Sequence, residues 1–496
     1  MRFSPLHAAL ALALTSTNMS ASADDTRITL YSGDFESVSQ AYAGPGMPGL
    51  AQVSKTLAFP LKQGGNMLDF DQLPLALDTG SVQFSPANDK VKVGSQRYDF
   101  ALAGQDELLR RAIGQRVVVE QGDGSALRRH EGVLLSAGNG ITLKQDDGRI
   151  RVLANYAGFE LPALPDGIAT RPTLRWQVQA PTAAKETFQL DYATGGLAWN
   201  AEYTLVLADT KQQCRMALEG AAQVVNRSGV SFPSAALTLV AGNPNQVRQS
   251  APRERGAMMM KSMAAPAAMY ADAPEPVESG EYHAYPLKGR VELPDGSVQR
   301  VPLIDALDNV ACTRRYEVDS GGYGYRPTRP QVQPNDGEAT FPVSTTLAFA
   351  NSKAAGLGVP LPAGRVRVFQ NDAAGRSLLG EARLAHTAAN SDVRLALGEA
   401  FDLSATRTAR DFRLAEDRLS LTETIEFKLK NAKREATTVR VFDALPRWQD
   451  WEIVEASAKW EKDDAQRIRF DVSVPAEDET KISYTVRYRW PLNVKP

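Results

Sequence analysis

The residues most suggestive of catalysis form two short acidic motifs. Asp78-Thr79-Gly80-Ser81 follows an apolar Leu75-Ala76-Leu77 run, and a second Asp-Ser-Gly begins at Asp319. Two aspartates held close together share one proton and activate a water, because like charges at short range cannot both ionise. Asp319, however, lies in a Gly/Tyr-rich stretch with no apolar strand to hold it. We therefore expect the two carboxylates not to meet.

Other catalytic and metal-binding patterns are poorly supported. His130, His283 and His386 are far apart, and no H-x-x-x-H or C-x-x-C spacing occurs. A serine nucleophile would need a base, and G-x-S-x-G is absent. The sequence thus predicts no catalytic residue, no cofactor and no metal ligand, with exposed histidines as the default.

Half of the ten methionines cluster in one Pro/Ala-rich stretch: Met258, Met259, Met260, Met263 and Met269. Soft thioethers bind Cu(I), and methionine is reversibly oxidised. The alternative interpretation is a low-complexity segment that binds nothing. Because residues 246–280 lack hydrophobic periodicity, we expect a disordered insert there.

The six tryptophans could form either core or a binding surface. Trp199 and Trp490 lie in alternating segments, where their large apolar area would fill a sandwich core. Trp448 and Trp451 lie in a turn near Pro446, and we expect this pair to be exposed. An exposed pair of indole rings could stack on sugar rings.

The N-terminal end has the pattern of a secretory signal. A short apolar run, Ala8–Leu14, precedes Ala21-Ser22-Ala23, an A-x-A cleavage site. Cleavage after Ala23 would start the mature chain at Asp24. No later stretch reaches about 18 apolar residues, so no transmembrane segment is predicted in the mature chain, and we expect export to the periplasm or beyond.

Export would determine the redox environment of the two cysteines, Cys214 and Cys312. In an oxidising compartment a single disulfide between them is plausible. The alternative is a pair of buried free thiols.

Composition excludes some partners. A formal net charge of −2, with mixed signs, gives no basic stripe for nucleic acid and no cationic membrane-binding helix. At roughly 150 residues per domain, the length suggests about three domains.

The dominant periodicity is two, between Gly/Asn/Asp/Pro turns, which is typical of half-buried strands. We predict a mainly β chain of a small SH3-like barrel and immunoglobulin-like β-sandwich domains. The segments expected are a signal peptide at 1–23, an N-terminal β-strand region at 24–103, the small barrel at 104–165, a β-sandwich at 170–350 with the insert at 246–280, and a C-terminal immunoglobulin-like sandwich at 351–496.

Several motifs carry a resemblance to a known family. They are Gly195-Gly196-Leu197-Ala198-Trp199-Asn200-Ala201-Glu202-Tyr203, the Asn351-Ser352-Lys353 to Gly364 stretch and the C-terminal Tyr484–Pro491 segment. Together they resemble the DUF4139 family of bacterial envelope proteins over roughly residues 174–491. The resemblance implies an exported, β-rich protein and supplies no catalytic residues. It places both cysteines in one domain, which favours the disulfide. Some relatives carry a "mucoidy inhibitor" label, which hints at envelope polysaccharide.

Three functions remain open at this point. The first is a non-catalytic envelope protein that binds a partner protein or a glycan, or acts as a scaffold for them. The second is a hydrolase with paired carboxylates, and the third is a copper or redox role for the methionine-rich insert. A deep pocket with convergent carboxylates would favour the enzyme.

Overall fold

The computed structural model describes residues 22–100, 104–122, 127–165, 168, 171–210, 213–242, 244–245, 274, 276–321, 326–334, 337–372 and 375–496. The described chain contains thirty strands in five sheets and two short α-helices. The mainly β fold class is therefore confirmed. Neither helix has the length or apolar character that a membrane crossing requires.

Two compact units make up the chain, as far as it is described. Among the described residues, the first contains those within 22–199, 223–245 and 277–300, and the second contains those within 200–222, 274–276 and 301–496.

The elements up to residue 194 alternate short strands with the two helices. In chain order they are β1 Ser22–Tyr31, α1 Phe35–Gln40, β2 Ala51–Leu61, β3 Gly64–Phe70, β4 Gln83–Pro86, β5 Lys92–Asp99, α2 Gln105–Arg111, β6 Arg116–Gln121, β7 Arg128–Gly138, β8 Gly140–Lys144, β9 Ile150–Leu153, β10 Gly158–Glu160, β11 Thr173–Ala180 and β12 Ala184–Thr194.

The remaining elements are all strands apart from single helical turns. They are β13 Leu197–Thr210, β14 Gln213–Asn226, β15 Phe232–Ala241, β16 Val277–Ser279, β17 Tyr282–Pro286, β18 Val291–Leu293, β19 Ser297–Ala311, β20 Thr313–Asp319, β21 Glu338–Ala350, β22 Gly364–Asp372, β23 Gly375–Leu384, β24 Asp392–Leu414, β25 Ser420–Asn431, β26 Thr437–Ala444, β27 Trp451–Ala456, β28 Trp460–Asp464, β29 Arg467–Val474 and β30 Asp478–Arg489.

Three sheets belong to the first unit. The largest has the order β16-β17-β15-β1-β2-β12-β4, with β18 beside β15, and a three-stranded sheet has the order β3-β11-β5. The third, β10-β6-β7-β8-β9, occupies the region predicted as a small barrel, residues 104–165. It is open: β9 and β10, of four and three residues, lie at opposite edges.

Two further sheets contain the strands from β19 onward together with β13 and β14. One has the order β19-β14-β13-β22-β23, and the other, of nine strands, has the order β27-β30-β25-β24-β21-β20-β26-β29-β28. The boundary predicted at residue 350 is not a boundary in the structure, because β20 and β21 belong to the same sheet as β24–β30. The reason is long-range pairing, of β21 with β24 and of β20 with β26, which local sequence patterns do not reveal.

The nine-stranded sheet encloses one continuous apolar core. Its buried residues come from strands along the whole sheet, among them Val318, Phe427, Val441, Phe470 and Val486. The sheet therefore curves over on itself as a sandwich. Strands β27 and β28 are separated by only three residues in the chain, yet they form its two opposite edges.

Candidate functional site

Charged side chains interrupt the apolar interior of the nine-stranded sheet at one end. Along β25 the inward positions read Leu421, Glu423, Ile425, Phe427 and Leu429, all buried. A charged residue likewise stands at an otherwise apolar inward position at Arg407 in β24 and at Asp443 in β26. Burial of an ionised group is costly without a partner, so these residues are expected to be paired.

Asp443 is the centre of the first pair. Its carboxylate is 1% exposed and accepts hydrogen bonds from Arg407 Nε, at 3.1 Å to both oxygens. Ser320 Oγ donates to Oδ1 at 2.6 Å, and the hydroxyl of Tyr484 donates to Oδ2. The serine hydroxyl in turn accepts from the amide of Ala444 at 3.0 Å, which fixes its direction.

A second pair lies beside the first. Glu423 accepts from Arg447 Nε at 2.6 Å and from the hydroxyl of Tyr488 at 3.3 Å. Arg447 Nη1 donates to the backbone carbonyls of Gln331 and Gln333, at 3.0 and 2.8 Å, and the Arg447 carbonyl accepts from the amide of Gln331 at 2.9 Å. One arginine therefore joins the interior acid to the segment that follows β20.

These groups line a cavity of about 600 Å³. Its polar side carries both arginines and both acids of the two pairs, and its apolar side carries alanine, proline and larger side chains. The lining residues are Ser320, Gln331, Gly337, Glu338, Ala339, Phe341, Arg407, Ala409, Glu423, Ile425, Asp443, Ala444, Pro446 and Arg447.

The protonation of the donors is set by burial and by the acids. Burial, reinforced by Asp443, raises the pKa of Tyr484 well above its usual value of 10, and burial with Glu423 does the same for Tyr488. Burial is the largest single influence on the pKa of Arg407 and lowers it, but the charge and hydrogen bond of Asp443, together with Tyr484 and Glu423, outweigh burial and the pKa is raised. Both tyrosines therefore remain donors at neutral pH and Arg407 remains charged.

The predicted disulfide is confirmed. Cys214 and Cys312 are bonded, with their Cα atoms 5.1 Å apart. The backbone adds a hydrogen bond between the Cys312 amide and the Cys214 carbonyl at 3.1 Å. The disulfide belongs to the second unit and is not part of the cavity lining.

The predicted exposure of the aromatic pair is wrong, because both rings pack against the core of the nine-stranded sheet. Trp448 is 7% exposed and belongs to that core. Trp451 is half-buried: its Nε1 donates to the Ala465 carbonyl at 2.8 Å, and its ring lies 6.4 Å from that of Trp460. The core positions predicted for Trp199 and Trp490 are confirmed.

The two acidic motifs have local structural roles. Asp78 caps a single helical turn, with Oδ1 accepting from the Gly80 amide at 3.0 Å. Asp319 accepts from the Gly321 amide at 2.9 Å and from Arg467 Nη2 at 3.1 Å. They belong to different units.

Three further predictions concern the N-terminal end and the methionine-rich segment. All five clustered methionines, Met258 to Met269, lie outside the described residues. Residues 246–273 of the predicted insert also lie outside the described residues, and its C-terminal end is wrong, because Val277–Ser279 forms β16 and pairs with β17. Cleavage after Ala23 stays a prediction; it would remove two residues from β1 and leave the pairing of Asp25 to Leu30 with β2 intact.

The polar cavity was not predicted from the sequence, although a signal exists. Leu403-x-Ala405-x-Arg407 and Val439-x-Val441-x-Asp443 each place a charge on an apolar alternation. A charged residue at an inward position is costly without a partner and marks a paired interior site. What the pattern cannot show is which distant strand supplies that partner.

Comparison with protein-family models matches residues 188–492 to a family described as "Domain of unknown function (DUF4139)". The matched range is more than half of the 496 residues and contains every residue that lines the cavity. The chain therefore belongs to the DUF4139 family. No curated protein matches it.

Proposed function

We propose that this DUF4139 protein is an exported, non-catalytic protein of the cell envelope, and that it binds an envelope component in the cavity of the nine-stranded sheet. The cavity volume of about 600 Å³ lies in the range of small-molecule sites. Its mixture of apolar wall and a few fixed polar groups is typical of recognition sites.

The two buried acids of this cavity are already bound by the protein's own donors, whereas the third acid of the lining, Glu338, is exposed; the engagement of the buried pair favours binding over catalysis. Asp443 accepts hydrogen bonds from Arg407, Ser320 and Tyr484. Glu423 accepts hydrogen bonds from Arg447 and Tyr488. A general base or nucleophile must reach the substrate. These carboxylates instead hold the arginines in place.

Export rests on the N-terminal pattern and is supported weakly by the disulfide, since disulfides persist in oxidising compartments. N-terminal sequencing of the protein recovered from its producing cell is expected to begin at Asp24. An intact Met1 on a protein retained in the cytoplasm would contradict export.

Binding in the cavity is tested by filling it. Ala409 lines the cavity, and Ala409→Trp places a large ring there. An enzymatic digest of bacterial envelope glycan, titrated by calorimetry, is expected to bind the parent chain and not this variant. The control is Thr438→Trp, which adds the same ring at an exposed position of β26. Equal binding by the parent and Ala409→Trp would exclude the cavity as the site.

A hydrolase is the second candidate, because three carboxylates, Glu338, Glu423 and Asp443, line one cavity. Incubation with the same digest separates the two functions. New reducing ends that disappear in the Glu423→Gln variant would establish hydrolysis. An unchanged digest that still binds would support the binding role.

A further inference from the structure

We propose that the ligand presents a single carboxylate to the Nη atoms of Arg407. This inference rests on the binding function proposed above and names the chemical class that the cavity selects. It follows from which hydrogen-bond donors the protein has left without acceptors.

Arg407 has three guanidinium nitrogens, of which one donates a hydrogen bond within the described protein and two do not. Its Nε donates to Asp443, and within the described residues its Nη1 and Nη2 have no acceptor. The side chain is 17% exposed and lines the cavity. A guanidinium with both terminal amino groups available binds a carboxylate in a bidentate manner.

The geometry of this guanidinium is fixed before any ligand arrives. The bifurcated bond to Asp443 holds one edge, and the ring of Phe427 lies 6.0 Å from the guanidinium carbon. A donor group that is already oriented loses little entropy on binding. Arg407 is therefore suited to recognise a planar acceptor.

Arg447 supplies a further donor to the same cavity. Its Nε and Nη1 are used by Glu423 and by two backbone carbonyls, and its Nη2 has no acceptor among the described residues. Its guanidinium carbon lies 4.9 Å from the ring centre of Phe412. The cavity thus offers donors from two arginines.

The charge balance limits the ligand to few negative charges. Arg407 and Arg447 are offset by Asp443 and Glu423, and exposed Glu338 adds a negative charge to the lining. A polyanion would meet a wall that is neutral to slightly negative. One carboxylate, bound by the unused N–H groups, is compatible with this balance.

The remaining wall indicates the body of the ligand. Phe341, Ile425 and Pro446 present apolar surface next to the arginines. An uncharged ring or chain with apolar faces would cover this surface. Two sources share this chemistry, namely a uronic acid unit of a saccharide and a short aliphatic acid.

Matched acids and amides test the carboxylate. The full chain is titrated by calorimetry with glucuronate and glucuronamide, and with hexanoate and hexanamide. Within each pair the amide keeps the carbon skeleton of the acid and lacks its negative charge. We expect at least one acid to bind about tenfold or more tightly than its amide, as the loss of a charge-assisted bidentate pair predicts. The pair that shows the difference identifies the source.

Arg407→Lys retains the positive charge beside Asp443 and removes the fork. We expect this variant to abolish the preference for the acid. Arg413→Met, on the same strand at an exposed position outside the cavity lining, should bind like the parent. The acid–amide comparison on the parent chain decides the question even if Arg407→Lys fails to fold.

The outcomes separate this inference from the binding function. Equal affinity for an acid and its amide would overturn the proposal of a carboxylate ligand, while the cavity would remain a binding site. If no acid binds but the glycan digest does and Ala409→Trp abolishes that binding, the inference fails alone. If the digest also fails to bind, both proposals fail.

Discussion

The two units of this chain bury positive charge in opposite ways. In the first, Lys55 on β2 is 4% exposed, and no acid pairs with it among the described residues; its Nζ lies 5.4 and 5.3 Å from the ring centres of Phe70 and Phe232. In the second, Arg407 and Arg447 are each held by a carboxylate. The difference appears in the pKa, since burial lowers that of Lys55 to about 8, whereas Asp443 raises that of Arg407.

The contrast is between a cation buried against aromatic faces, which attract it without opposing its charge, and a cation buried beside an acid, whose charge offsets the desolvation. Pairing also has a consequence for function. A paired guanidinium keeps its charge and can still offer its remaining N–H groups, as Arg407 does. A lone lysine with a lowered pKa contributes a stability cost at neutral pH.

The largest effect is expected from breaking the paired site. Asp443→Ala leaves Arg407 charged and without its acid, and removes the acceptor of Tyr484 and Ser320. Removal of one partner of a buried ion pair costs about 3–5 kcal/mol. Urea unfolding of the variant should show this loss, and a loss below about 1 kcal/mol would mean that the pair is not a structural unit.

Removing the lone cation should have the opposite sign. A pKa that falls from 10.5 to about 8 corresponds to about 3 kcal/mol, so Lys55→Met should stabilise the chain by about 2–3 kcal/mol at pH 7. The cost is fully present below pH 8, where both folded and unfolded states are protonated. It fades between about pH 8 and 10.5, because the unfolded chain then binds more protons than the folded one.

The gain from Lys55→Met should therefore shrink over the same interval and vanish above pH 10.5, as followed by unfolding at several pH values. Lys62→Met, one residue beyond β2 and exposed, controls for the loss of a lysine. A gain that did not change with pH would show that packing, not charge, limits the site.

The smallest effect is expected at an exposed pair. Asp471 on β29 accepts from Arg440 at 2.7 and 2.9 Å, and its carboxylate is 47% exposed. Asp471→Ala should cost less than about 1 kcal/mol, because solvent screens exposed ion pairs. If it destabilised the chain as much as Asp443→Ala, burial would not be the variable that separates these pairs.

Local sequence patterns predicted what depends on local physics. Alternation and turn residues indicated the β class, and the cysteine pair and the buried Trp199 were also predicted. The burial of Trp448 and the grouping of β20 and β21 with the nine-stranded sheet were not. Both depend on partners distant in the chain, as does the pairing of Arg407 with Asp443, which are 36 residues apart.

The placement of β27 and β28 has a consequence for the order of folding. These strands are neighbours in the chain but lie at opposite edges of one sheet, so they cannot form a local hairpin that nucleates it. The edge strand β27 can pair only after β30 has formed, and the edge strand β28 only after β29. Strand β20 likewise gains its parallel partner only when β26 is present. Such non-local pairing raises the contact order and slows folding. A nascent chain would complete this sheet, and with it the cavity, only after β30 has been synthesised.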